Sequence, residues 1–241
     1  MTAADLAARD HLALALDLDD LETARRVARE LQPYFRVAKV GLELYSAAGP
    51  DAVEAMTDLG YDVFVDVKLH DIPTTVAKAA RVLGSLGATY LTIHTSGGVD
   101  MLRAGNDAFV EAAVAAGVVD PRVLGVTVLT SDGADAAAQV PDRVRTALAA
   151  GCGGVVCAVA EAAAARALGP DLTILTPGIR PAGAATDDQA RPATPTAALT
   201  AGADLLVIGR PVVAASDPAA AAAAIVAELT AALAAEPAEG H

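Results

Sequence analysis

Eight short, mostly apolar runs recur along the chain, and a helix-forming segment follows each one. The runs are HLALALDL (11–18), FRVAKVGL (35–42), DVFVDVKL (62–69), YLTIHTS (90–96), RVLGVTVLT (122–130), GVVCAV (154–159), LTILTPGI (172–179) and DLLVIGRP (204–211). Near-continuous apolarity of that length marks strands covered on both faces. The intervening segments, 19–31, 47–60, 74–87, 99–117, 141–151, 160–169, 194–202 and 217–233, are rich in helix formers, and several end in Gly, as helix C-termini do. Asp19, Ser46, Thr194 and Ser216 stand where N-caps belong. Eight such repeats predict an α/β chain folded as a (β/α)8, or TIM, barrel in a single domain over residues 1–241. A doubly wound open sheet is the alternative. It is disfavoured because no G-x-G-x-x-G follows the first run, and Asp17-Leu18-Asp19-Asp20 would repel a pyrophosphate there.

Composition narrows the setting. With 54% hydrophobic and 20% charged residues, the chain buries a full core and is not disordered. A net charge of −13 argues against a nucleic-acid partner and against a polybasic membrane contact. Cys152 and Cys157 are the only cysteines. They read as small buried hydrophobes in a reducing cytoplasm, and no neighbouring ligands complete a metal site. No apolar run approaches the roughly 18–20 residues of a membrane span, and MTAADLAARD is too acidic and polar for a signal peptide. The expectation is a soluble, cytoplasmic protein with no membrane partner. The segment 180–193, RPAGAATDDQARPA, is the least regular and reads as an active-site lid. The Ala-rich tail 219–235 reads as a covering helix.

In a barrel the chemistry belongs at the C-terminal strand ends. Polar residues collect there: Asp17, Lys39, Asp66, Lys68, His94, Thr130, Ser131, Gly178, Arg180, Gly209 and Arg210. Singly, each is where a chain meets water; jointly, they share one mouth. Arginine supplies 14 of the 17 bases, yet Lys39 and Lys68 lie inside apolar strands while Lys78 sits in a helix pattern. A lysine in such a setting is a compact proton donor, a role arginine cannot fill near neutral pH. Asp66 and Lys68 are two apart and project to one face, and Asp71 follows just before Ile72-Pro73. A lone D-x-K is more often a buried ion pair. Two carboxylates and two ammoniums in one mouth suit acid–base or electrostatic work. Gly178 and Gly209, after the seventh and eighth strands, point to a phosphate cradle, with Arg210 adding a charged fork. His70 and His94 read as hydrogen-bonded strand-end residues.

The stretch Asp66-Val67-Lys68-Leu69-His70-Asp71-Ile72-Pro73-Thr74-Thr75 resembles the D-x-K-x-x-D-I-P-x-T signature of the orotidine 5′-monophosphate decarboxylase family, in its bacterial form. ALDL (15–18), KVGLELY (39–45), HTSGG (94–98), VTVLTS (126–131), LTPGIRP (175–181), DDQARPATP (187–195) and VIGRPV (207–212) match the family's other blocks in order. The resemblance covers nearly the whole chain. It implies decarboxylation of orotidine 5′-monophosphate to uridine 5′-monophosphate, the last step of de novo pyrimidine synthesis, with no metal and no organic cofactor. It implies Lys68 as proton donor to C6, Asp66 beside the departing carboxylate, and Asp71 and Thr75 reaching the site of the other subunit in a homodimer. It places Asp17 and Lys39 on the ribose hydroxyls and Thr130, with Ser131, on the pyrimidine or its loop. Arg180, Gln189, Gly209 and Arg210 fall at the phosphate, with Gln189 on the closing loop. Two other functions compete. One is a Mg²⁺-dependent decarboxylase or aldolase of 3-keto sugar phosphates from the same superfamily, which shares D-x-K-x-x-D. The other is a non-catalytic barrel binding a phosphometabolite, against which the intact charge cluster weighs.

Overall fold

The structure is a computed structural model, described over residues 2–129, 137–181 and 193–235. Eight parallel strands close into a barrel in chain order. They are β1 (Leu12–Ala15), β2 (Val37–Gly41), β3 (Asp62–Leu69), β4 (Tyr90–His94), β5 (Arg122–Val126), β6 (Gly154–Val156), β7 (Thr173–Thr176) and β8 (Leu205–Ile208). β8 pairs with β1, so no sheet edge remains. The α-helices among the described residues are α1 (Ala3–Asp10), α2 (Leu21–Leu31), α3 (Leu42–Ala48), α4 (Pro50–Asp58), α5 (Pro73–Ser85), α6 (Gly98–Ala115), α7 (Val140–Ala149), α8 (Val159–Leu168), α9 (Pro195–Thr200), α10 (Arg210–Val213) and α11 (Pro218–Ala235). The expected (β/α)8 architecture is the one observed.

Alternation along the strands builds two cores. Leu12, Leu14, Val63, Val65, Leu91 and Ile93 pack in the cluster shared with the helices. The intervening residues, among them Ala13, Ala15, Val37, Phe64, Val126, Val156, Leu175 and Val207, fill the barrel. Phe64 meets Tyr90 edge to face, with ring centroids 6.4 Å apart. Lys39 continues the inward row begun by Val37, and Asp66 the row begun by Phe64, so the strand period delivers both charges to the mouth.

Several local expectations are corrected. The helix expected over 47–60 is two helices, because Gly49 adopts φ 60 and ψ −140 and Pro50 starts the second. Thr194 is an N-cap as expected, accepting from the Ala197 N–H. Elsewhere the cap lies one residue on: Asp20 accepts from the Thr23 N–H at 2.7 Å and Asp217 from the Ala220 N–H at 2.9 Å, in place of Asp19 and Ser216. Ser46 lies inside α3. The N-terminal residues form α1, closed by a capping box between Thr2 and Asp5. Contrary to the expectation about apolar runs, α11 is long and apolar enough to cross a membrane. Its apolarity is mostly alanine. Ala222, Ile225, Val226 and Leu229 pack into the helix-side core, and Glu228 accepts hydrogen bonds from the Thr196 N–H and O–H. α11 is therefore the covering helix expected of the tail. Cys152 and Cys157 are both free and buried, and burial pushes each thiol up to about 12.

The barrel wall under the signature strand depends on close approach of α5 and α6. A Cβ at Gly84 would lie 2.6 Å from the Phe109 carbonyl oxygen and 3.0 Å from the Ala113 nitrogen. Both are backbone atoms inside a helix and cannot give way. Gly→Ala inside a helix ordinarily stabilises by about 1 kcal/mol. Here the sign reverses: Gly84→Ala will destabilise by about 1–3 kcal/mol, measured as a lowered denaturation midpoint at unchanged m-value.

Candidate active site

The strand C-termini enclose a mouth lined by Ala15, Asp17, Lys39, Phe64, Asp66, Lys68, Val126, Val128, Leu129, Val156, Leu175, Pro177, Gly178, Arg180, Val207, Gly209 and Arg210. Asp17, Lys39, Asp66, Lys68, Arg180 and Arg210, named from the sequence, are therefore in one place. On one side the charges form a row across β1, β2 and β3. The Lys39 Nζ donates to Asp17 Oδ1 at 2.8 Å and lies 3.8 Å from Asp66 Oδ2. The Lys68 Nζ donates to Asp66 Oδ1 at 2.8 Å. Signs alternate along this row, so each charge is countered by its neighbour. Burial is deepest in the middle: the side chains of Lys39 and Asp66 are 9% and 14% exposed, against 56% for Asp17. Among the lining residues two carboxylates face four cations, so the mouth is locally positive in a chain of net charge −13.

The pairing of Asp66 with Lys68 is not simple strand alternation. β3 pairs with β4 through Val65 opposite Leu91 and Leu69 opposite Ile93. Asp66, Val67 and Lys68 therefore face Thr92 alone, and β3 bulges by two residues. Lys68 takes φ 50, in the left-handed region rare for residues other than glycine. A bulge re-aims side chains at functional sites, and here it turns the ammonium back onto Asp66. The Thr92 hydroxyl, fully buried, accepts from the Lys68 backbone N–H at 3.0 Å and donates to Asp66 Oδ1 at 3.0 Å.

On the other side of β1 from β2, the mouth is completed by the residues after β8, which pairs with β1, and after β7. Gly178 adopts φ 79, open to glycine without strain. Arg180 is buried, its Nη1 donating to the Ile179 carbonyl at 3.0 Å. Its backbone N–H bonds the Ala193 carbonyl, so the two ends of segment 180–193 are held together. Gly209 is the N-cap of α10, and Arg210 its first residue. Phe64, Val126, Val156, Leu175 and Val207, from β3 and β5 to β8, give the mouth an apolar wall that also belongs to the barrel core.

Two expected site residues lie outside this chain's mouth. Asp71 and Thr75 are exposed, and Asp71 Oδ1 accepts the Ile72 N–H at 2.7 Å. Thr130, Ser131 and Gln189 lie outside the described residues, as does most of the expected lid. His70 and His94 pack against each other, ring centroids 5.5 Å apart, and neither lines the mouth.

Sequence reasoning missed Thr92, Gly41 and the apolar wall. Gly41 makes room for the charged row: a Cβ there would lie 2.8 Å from Asp17 Oδ1 and 2.9 Å from the Lys39 Nζ. A glycine inside a strand signals such close approach. Thr92 was legible as the inward residue two after Tyr90, though the bulge opposite it was not.

The chain matches the model of the orotidine 5′-phosphate decarboxylase / HUMPS family over residues 10–225. It is 50% identical over 224 residues to an orotidine 5′-phosphate decarboxylase of Thermobifida fusca, covering 90% of this chain and 95% of the relative. Against one of Moorella thermoacetica it is 45% identical over 234 residues, covering 92% and 93%. A crystal structure of orotidine 5′-phosphate decarboxylase from Lactobacillus acidophilus matches with a TM-score of 0.78 at 37% identity, covering 90% of this chain and 98% of that one.

Proposed function

The chain belongs to the orotidine 5′-phosphate decarboxylase / HUMPS family, and from that membership we propose how its mouth divides the work of decarboxylation. The reaction converts orotidine 5′-monophosphate to uridine 5′-monophosphate and CO₂, the last step of de novo pyrimidine biosynthesis. One observation carries the assignment of roles: the unbroken row Asp17–Lys39–Asp66–Lys68, ending on an ammonium at the edge of an apolar wall.

The pyrimidine lies against the apolar wall, with Thr130 and its neighbour Ser131 beside it. Asp17 and Lys39 hold the ribose hydroxyls. Arg180, Gln189, Gly209 and Arg210 take the phosphate. That leaves the C6 carboxylate next to Asp66 and Lys68. The C6–carboxyl bond breaks, CO₂ leaves, and the electron pair stays on C6. No adjacent group delocalises that pair, so stabilisation has to be electrostatic and set in advance. The Lys68 ammonium supplies positive charge beside C6, then transfers its proton there, and the resulting amine is reprotonated from water. Asp66 meets the substrate carboxylate as a like charge, and that contact is relieved as CO₂ departs. The scheme uses no metal and no organic cofactor. Unchanged turnover in excess EDTA separates it from Mg²⁺-dependent sugar-phosphate chemistry.

The proposal includes a homodimer in which Asp71 and Thr75 complete the neighbouring site. Support comes from the rim: Ile72 beside Asp71 is 66% exposed, and Leu42 after β2 is 57% exposed. Apolar side chains flanking a polar mouth fit burial by a second copy. The cytoplasm is the proposed location, in keeping with two free cysteines. The test is complementation. Lys68→Ala and Asp71→Ala chains are each expected to be inactive alone. Mixed and allowed to reassort, they will recover about one quarter of parent activity, because half the dimers are hybrids carrying one intact site. No recovery in demonstrated hybrids contradicts the shared site.

A further inference from the structure

We infer that Thr92 is a positioning residue for the decarboxylation, one hydroxyl that fixes both the backbone of Lys68 and the carboxylate of Asp66. The inference rests on the reading of Lys68 as proton donor. It starts from the strand register. Three residues of β3 face Thr92 alone, so the bulged segment cannot place all its backbone donors on the β4 ladder. The Lys68 N–H goes instead to the Thr92 side chain, at 3.0 Å.

A hydroxyl has one proton to donate and lone pairs to accept with. Thr92 spends its proton on Asp66 Oδ1 at 3.0 Å while accepting from Lys68. Asp66 Oδ1 also takes the Lys68 Nζ, at 2.8 Å, and Oδ2 is left facing Lys39 at 3.8 Å. The hydroxyl thus sets which carboxylate oxygen faces which lysine. It also closes a ring: Lys68 N–H to Thr92, Thr92 to Asp66, Asp66 to the Lys68 Nζ. The ring holds Lys68 at φ 50, a conformation that a lysine keeps only when its surroundings impose it. Thr92 is fully buried, so water does not replace the hydroxyl. Thr92 is absent from the lining of the mouth, so it acts through Lys68 and Asp66 and not on substrate.

Valine keeps the shape of threonine and removes both hydrogen bonds. Lys68 is then free to relax toward ordinary strand geometry, which moves its ammonium away from C6. The phosphate and ribose contacts lie elsewhere in the mouth. Thr92→Val will therefore lower kcat about 10–100-fold with KM within about threefold of the parent. Thr92→Ser, which keeps the hydroxyl, will stay within about threefold in both. Thr92→Ala is measured alongside, so the comparison survives if valine's second methyl cannot be seated; it too will lose kcat selectively. Thermal melts of all three report the fold. Lys68→Ala in the same assay separates the role of Lys68 from that of Thr92. If it turns over like the parent, the proton-donor reading falls and this inference with it. If it is inert while folded Thr92→Val or Thr92→Ala turns over like the parent, or Thr92→Ser is as slow as they are, the role of Thr92 alone is overturned.

Discussion

Replacing Lys68 by alanine is expected to lower kcat/KM by about 10⁴-fold or more. Two losses coincide. A positioned proton donor contributes about 10²–10⁴, and a preorganised charge beside the developing carbanion about 10²–10³. They share one group and do not multiply fully. The protein should still fold. Asp66 keeps its hydrogen bond from Thr92 at 3.0 Å and its proximity to Lys39 at 3.8 Å, so its carboxylate is not stranded. The measurement is loss of the ultraviolet absorbance of orotidine 5′-monophosphate, with a thermal melt beside it. Turnover within tenfold of the parent in a folded variant contradicts the proton-donor assignment.

Arg210→Ala is expected to cost about 10²–10³ in kcat/KM, and the loss should divide between KM and kcat. A guanidinium on a phosphate makes charge-assisted, often paired, hydrogen bonds. The phosphate is remote from the bond that breaks, so its binding energy can hold the pyrimidine against the like charge of Asp66. A loss confined to KM would mean that the energy serves binding alone. Orotidine, which has no phosphate, is the internal control: parent and Arg210→Ala should process it equally slowly. An unchanged kcat/KM for the phosphorylated substrate contradicts the placement of Arg210.

What was legible in the sequence follows from what strand periodicity encodes. Alternation told which residues share a face, so the inward rows ending in Lys39 and Asp66 could be read directly. Eight repeats of apolar run and helix former sufficed for the barrel, because that pattern has few ways to close. The bulge at Asp66–Lys68 was not legible. Register belongs to two strands at once, and nothing within DVFVDVKL alone shows that three of its residues face only Thr92. Simple alternation puts Asp66 and Lys68 on one face, whereas in the structure they meet through a left-handed Lys68. The apolar wall was hidden for another reason: Val126, Val156 and Leu175 look like core residues and are core residues, and only their height in the barrel makes them line the mouth. The alanine of α11 misled the opposite way. Helix-forming alanine makes α11 apolar along its length with few large apolar side chains.

Net charge also changes meaning once the mouth is built. Thirty acids against seventeen bases argue against binding a polyanion, yet four of the bases converge on the mouth with two carboxylates. Local field, not the total, governs capture of a small phosphorylated anion.

The most direct measurement adds the purified protein to orotidine 5′-monophosphate in excess EDTA and follows absorbance loss together with released CO₂. The account predicts multiple turnovers with equal amounts of CO₂ and uridine 5′-monophosphate, at a rate the chelator does not change. No turnover by the folded protein, or turnover that EDTA abolishes and Mg²⁺ restores, would contradict it.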